Sequence, residues 1–191
     1  VFENEARTCG KERLFIKENH TARLLPFLLA AWPDARFVYL VRDPRDMALS
    51  WKRSAIHRGD VVRAARVWQQ DQADGIAAIA QLHDTQRLHC LNYEDLVVVP
   101  ELELLRLCRF LNVRFCRAML DFHQAPETMA NAQQTVAWEN LARPVMADNA
   151  RKWQEGLDNA EIALVEAVCA REMAFFGYQP ESTDPRPLAE L

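Results

Sequence analysis

The run Phe37-Val38-Tyr39-Leu40-Val41, followed at once by Arg42-Asp43-Pro44, constrains this chain more than any other stretch. Five consecutive apolar, aromatic and β-branched residues without polar alternation are the pattern of a strand buried on both faces, as in a parallel sheet. Asp43-Pro44 signals a helix start, with Asp43 as cap and Pro44 in the first turn, where a missing N–H costs little. Arg42 therefore falls at the carboxyl end of a parallel strand, the edge at which open α/β sheets bind ligands. Its guanidinium can fork onto two oxygens of one phosphate. The new helix points its first N–H groups into the same crevice. Ser50 stands about two turns into that helix, so its hydroxyl must reach back to the phosphate side.

The rest of the chain alternates in the same way. Leu14-Phe15-Ile16 reads as a short buried strand followed by Lys17. Thr21 to Trp32 has helical spacing, with Pro26 near its start, and Pro33-Asp34 ends it. Gly59-Asp60 separates the Pro44 helix from a long one over about Val61 to Leu82. Arg87 to Asn92 reads as a third strand, Pro100 to Leu111 as a helix, and Arg114 to His123 as one more short helix. Residues 124 to 149 show no clean period. Asp158 caps a final helix that runs to Phe176 and stops at Gly177. Strands alternating with helices give an α/β fold with a parallel sheet flanked by helices. A single domain over 1–179 is expected, with a flexible tail over 180–191 that carries three prolines.

Composition narrows the partners. The net charge of −4 leaves no global basic field, so nucleic acid is not an expected partner and a phosphate site must be built locally. Five cysteines, an odd number without a CxxC pair, argue against a disulfide framework and a cysteine-rich zinc site and for a reducing, cytoplasmic setting. His57, His83, His89 and His123 show no metal-ligand spacing, and no metal is expected. The apolar runs are too short to span a bilayer. Trp51, Trp68, Trp138 and Trp153 are expected to pack in the core rather than line a pocket. The chain begins Val-Phe-Glu-Asn, without an initiator methionine, and reads as part of something longer or a processed product.

Taken in order, Leu14-Phe15-Ile16-Lys17, an apolar helix, Trp32-Pro33-Asp34-Ala35-Arg36-Phe37, and Arg42-Asp43-Pro44-Arg45-Asp46 with Ser50 resemble the central part of sulfotransferases that use 3′-phosphoadenosine 5′-phosphosulfate (PAPS). Leu91-Asn92-Tyr93-Glu94-Asp95-Leu96, Arg151-Lys152-Trp153 and Met173-Ala174-Phe175-Phe176-Gly177-Tyr178 extend the resemblance over most of the chain. It implies a P-loop-like sulfotransferase fold and transfer of a sulfuryl group from PAPS to a hydroxyl or amine of a small-molecule, carbohydrate or peptide acceptor. It also implies that Arg42 and Ser50 bind the 3′-phosphate, with Arg151 and Lys152 as further donor contacts. Tyr93 would lie by the adenine or serve only as a rim aromatic. Arg45 and Asp46 either hold the turn or the helix face or, the reading favoured here, form a solvated, salt-bridged surface, and Glu94 and Asp95 read as a cap and surface charge.

Sulfuryl transfer needs a base for the acceptor's proton, an in-line hold on the moving group, and positive charge against the leaving phosphate. Lys17-Glu18-Asn19-His20 supplies these side-chain types. By the resemblance Lys17 is the electrostatic catalyst. The base stays open between His20 and Glu18, with His20 slightly favoured, and His20 with Thr21 could instead cap the next helix. A loop rich in Gly, Ser and Thr that wraps a 5′-phosphosulfate is not found, and Cys9-Gly10-Lys11 is its nearest counterpart. Two expectations follow. The chain comes from an ordinary sulfotransferase whose amino-terminal part is absent, or it is an inactive remnant acting as a nucleotide-binding or protein-interaction domain. A P-loop kinase is a weaker third reading, for want of a Walker A loop and a magnesium-binding set.

Overall fold

β1 (Phe37–Val41) and β2 (Leu88–Asn92) pair in parallel, Phe37 opposite Leu88 and Val41 opposite Asn92, in a computed structural model that describes residues 2–54 and 60–181. Both carboxyl ends therefore lie at one edge, which places Arg42 beside Tyr93. The helices are α1 (Phe2–Thr8), α2 (Leu25–Ala31), α3 (Pro44–Arg53), α4 (Val61–Leu82), α5 (Tyr93–Val98), α6 (Pro100–Leu111), α7 (Pro126–Ala132), α8 (Trp153–Gly156) and α9 (Asn159–Phe176). The expected breaker Gly59, His57 and the tail from Ser182 onward lie outside the described residues.

The helix ends follow from local chemistry. The Asp43 carboxylate accepts the Arg45 N–H at 2.8 Å and starts α3. Asp60 does the same for α4 through Arg63 N–H at 2.8 Å. Asp158 and Glu161 form a reciprocal capping box at the start of α9. The core fills the space between β1, α3, α4 and α9. α4 buries Val61, Ala64, Ala65 and Trp68, one face at helical spacing, against Val165, Cys169 and Met173 of α9. The small side chains bring the two helices close enough for the Cys169 thiol to reach the Ala65 carbonyl at 3.4 Å. Burial first, and then the charge of Glu172, push that thiol up to about 12, so it keeps its proton at neutral pH.

Three expectations require correction. Leu14-Phe15-Ile16 is not a strand: these residues are 47%, 73% and 48% exposed. Extended backbone becomes a strand only beside a hydrogen-bonding neighbour, and the described sheet has two strands, with none beside this segment. The helix expected over 114–123 reduces to two single 3₁₀ turns, Arg117–Met119 and Phe122–Gln124. Of the tryptophans, Trp68 and Trp153 are buried as expected, but Trp138 is 47% exposed.

One close approach fixes β1 against α4. Tyr39 donates its hydroxyl to Gln72 at 2.6 Å and stacks on Phe176. A Cβ on Gly75 would come within 1.9 Å of the Tyr39 hydroxyl oxygen and 2.4 Å of its ring. Gly75→Ala is therefore expected to lower stability by about 1–3 kcal/mol through overpacking, although alanine favours the helix by about 1 kcal/mol. Urea unfolding measures this, and a variant as stable as the parent would mean that Tyr39 is not held in place.

Candidate functional site

Arg42 leaves β1 half-buried at the carboxyl edge of the sheet. Its backbone carbonyl is held by the Trp68 indole N–H at 2.9 Å, which anchors the strand end to α4. The guanidinium lies over the Tyr93 ring, 4.4 Å from its centroid, and Nη2 donates to the Asn149 carbonyl at 3.0 Å. Nε is buried without a hydrogen-bond partner among the described residues. Asn149 also donates its side-chain amide to the Tyr93 hydroxyl. Arg42, Tyr93 and Asn149 thus form one closed cluster at the strand ends.

Asp46 brings the next segment over this cluster. Its two carboxylate oxygens accept the N–H groups of Arg151 at 2.7 Å and of Trp153 at 3.0 Å. Burial raises the Asp46 carboxyl above its ordinary value, and the two amide donors partly oppose that rise. Arg151 holds a left-handed backbone (φ 62°), a conformation that costs energy for a side-chain-bearing residue and that Asp46 sustains. The Arg151 side chain is exposed and Lys152 is half-buried. Both cations therefore stand on the loop that also carries the Asn149 carbonyl.

Arg45 and Asp46 are not a solvated face, as expected from the sequence, but buried at 4% and 2% exposure. Arg45 donates to Asp43 from Nε at 3.0 Å and Nη2 at 2.7 Å, and from Nη1 to Glu166 at 2.7 Å and to the Gln179 carbonyl at 3.1 Å. Burial alone would lower its pKa, but the two carboxylates outweigh burial and hold the guanidinium above its ordinary value. Glu94 is likewise no mere cap, because it accepts the Asp43 N–H and the Tyr178 hydroxyl, both at 2.9 Å. Sequence reasoning named Arg45, Asp46 and Glu94 without their partners and passed over Asn149. One signal was available: Glu166 and Glu172 interrupt the otherwise apolar buried stripe of α9.

Ser50 is exposed on α3, about 9 Å of helix rise beyond Pro44. The Lys17 loop is exposed throughout. Lys17 Nζ donates to Asn19 Oδ1 at 3.3 Å, and Glu18 Oε1 accepts the Asn19 N–H at 2.8 Å. His20 occupies the cap position of the 3₁₀ turn Thr21–Leu24 with a left-handed backbone (φ 58°); its carbonyl accepts the Arg23 N–H at 3.1 Å, and its side chain makes no capping hydrogen bond. Its Nδ1 stands 3.4 Å from Asp71 of α4, and Arg23 pairs with Asp74 at 2.6 Å one turn further on. Asp71 lies three residues past Trp68, about 4.5 Å along the helix axis. α4 thus seats both halves of the candidate site: Trp68 holds the Arg42 carbonyl, and Asp71 stands against His20.

Cys9-Gly10-Lys11 closes α1: Gly10 N–H donates to Arg7 O at 3.0 Å and Lys11 N–H to Ala6 O at 2.8 Å. Those amides terminate a helix instead of lining a phosphate loop. Among the described residues no helix is long and apolar enough to cross a membrane.

Residues 1–118 match the sulfotransferase family. Among solved structures, the chain is similar to the sulfotransferase domain from the curacin biosynthetic pathway, with a TM-score of 0.71 and 22% identity. The alignment covers 93% of this chain and 67% of that one. At that identity the likeness speaks for the fold. No curated protein sequence matches.

Proposed function

The chain belongs to the sulfotransferase family, and from that premise we propose that it takes PAPS as donor and directs a sulfuryl group to a hydroxyl or amine of a small-molecule, carbohydrate or peptide acceptor. The observation that carries this reading is Arg42: a guanidinium at the carboxyl edge of a parallel sheet, stacked on Tyr93, with a buried Nε that has no partner among the described residues. A buried donor without an acceptor costs about 1–3 kcal/mol, and a phosphate oxygen would remove that cost. The residues present therefore fit a 3′-phosphorylated nucleotide.

PAPS supplies an activated sulfuryl group on a phosphate leaving group. Within this reading, Arg42 and Ser50 hold the 3′-phosphate, and Tyr93 borders the adenine. Arg151 and Lys152 add positive charge from the loop that Asp46 anchors. Lys17, exposed and bonded only loosely within its own loop, is free to turn toward the leaving phosphate. His20 is the better base of the two candidates. One Glu18 oxygen is engaged by the Asn19 amide. His20 faces Asp71 through Nδ1, so Nε2 is the nitrogen left to take a proton from the acceptor.

Calorimetric titration with 3′-phosphoadenosine 5′-phosphate and with adenosine 5′-phosphate tests the reading. The first is expected to bind at least about tenfold more tightly, the worth of one charged hydrogen bond of ~1.5 kcal/mol. Equal affinities would sink the 3′-phosphate assignment. Binding with this preference but without turnover on any acceptor would instead favour the inactive, nucleotide-binding alternative.

A further inference from the structure

We propose that Glu94 is a positioning residue for Arg42: together with the segment after α9, it holds the turn between β1 and α3 in the shape that aims the guanidinium. This rests on the reading of Arg42 as the 3′-phosphate ligand.

Glu94 is a three-way joint. It follows β2 by two residues, and its Oε1 accepts the N–H of Asp43, the residue next to Arg42. Its Oε2 accepts the hydroxyl of Tyr178, which follows α9. The Asp43 amide is joined directly to the Arg42 carbonyl, so the direction of that N–H fixes the backbone from which the arginine side chain departs. On its other side the Arg42 carbonyl is held by Trp68. The peptide unit between Arg42 and Asp43 is therefore gripped at both its oxygen and its nitrogen.

Tyr178 is delivered to this joint by the way α9 ends. Gly177 takes the left-handed conformation (φ 81°), and Tyr178 N–H returns to the Met173 carbonyl at 2.9 Å. Two further bonds fasten the segment: Arg45 Nη1 to the Gln179 carbonyl at 3.1 Å, and Glu181 N–H to Glu166 at 2.9 Å. Burial first, and then the charge of Glu94, raise the Tyr178 hydroxyl above its ordinary value, so it remains a donor at neutral pH. A carboxylate close to an anion site is unfavourable as a ligand. Each oxygen of Glu94 already accepts a hydrogen bond from a protein donor, which suits a brace.

The test compares the affinity ratio of 3′-phosphoadenosine 5′-phosphate to adenosine 5′-phosphate in the parent, Glu94→Ala, Glu94→Gln and Tyr178→Phe, below each melting midpoint. Glu94→Ala is expected to reduce the ratio about tenfold or more. Glu94→Gln keeps an oxygen for the Asp43 amide and is expected to stay within about threefold of the parent. A role in general stability alone would lower the melting midpoint without moving the ratio. A role through charge alone would raise phosphate affinity in both Glu94 variants. Either result overturns the proposal, as does an unchanged ratio in Glu94→Ala. Should Glu94→Ala not fold, Tyr178→Phe decides: a ratio about threefold below the parent supports the brace, and the parent ratio overturns it. A parent protein that shows no preference between the two nucleotides removes the Arg42 reading itself, and the brace with it.

Discussion

Arg45→Met is expected to lower the unfolding free energy by about 3–5 kcal/mol, the usual cost of removing one partner from a buried ion pair. Arg45 is 4% exposed and bridges two buried or nearly buried carboxylates, Asp43 and Glu166. Methionine fills much of the volume but leaves two desolvated negative charges without a cation. It also removes the stacking of the guanidinium on Trp153, whose ring centroid lies 3.9 Å away. Since domains of this kind have about 5–15 kcal/mol in total, the variant should be marginal. Urea unfolding of Arg45→Met, Glu166→Gln and the double variant isolates the pair. If the bridge matters as described, Glu166→Gln costs clearly less in the Arg45→Met background than in the parent. Additive effects would contradict it.

Lys17→Met is expected to act on turnover and hardly on the fold. Lys17 is exposed, and its ammonium makes a long 3.3 Å hydrogen bond to Asn19 within its own loop. Stability should therefore stay within about 0.5 kcal/mol of the parent, as for surface substitutions in general. Removing a cation aimed at charge that develops in the transition state typically lowers the rate about 10²–10³-fold. Transfer of labelled sulfuryl from PAPS to a panel of hydroxyl and amine acceptors reads this effect. A parallel titration with 3′-phosphoadenosine 5′-phosphate should show a much smaller change in affinity. Full turnover by Lys17→Met would remove this lysine from the chemistry.

The parts of the fold that were legible are those specified within one turn of chain. Asp43-Pro44 starts α3, the 61–82 periodicity gives α4, and Asp158 and Gly177 bound α9. Leu14-Phe15-Ile16 was misread because a strand is a property of two segments. Composition marks the segment as apolar, yet only a neighbouring strand could satisfy its backbone. Arg45 and Asp46 were misread for a related reason. A charged residue on a helix is solvated by the local rule, and the partner that overrides it, Glu166, lies 121 residues away. The site divides along the same line. Arg42 was placed by its strand and cap, and Tyr93 by the end of β2. The loop from Asn149 to Trp153, which completes their surroundings, has no period of its own and is positioned by the Asp46 carboxylate.

The most direct measurement is the thermal midpoint of the chain and of Arg42→Ala, each with and without 3′-phosphoadenosine 5′-phosphate. A ligand that binds only the folded state raises the midpoint by mass action, by about 2.7 kcal/mol of stability at a hundredfold excess over Kd. The account predicts a clear rise for the parent and little or none for Arg42→Ala. A folded parent whose midpoint does not move, or a rise that survives the loss of Arg42, would contradict it.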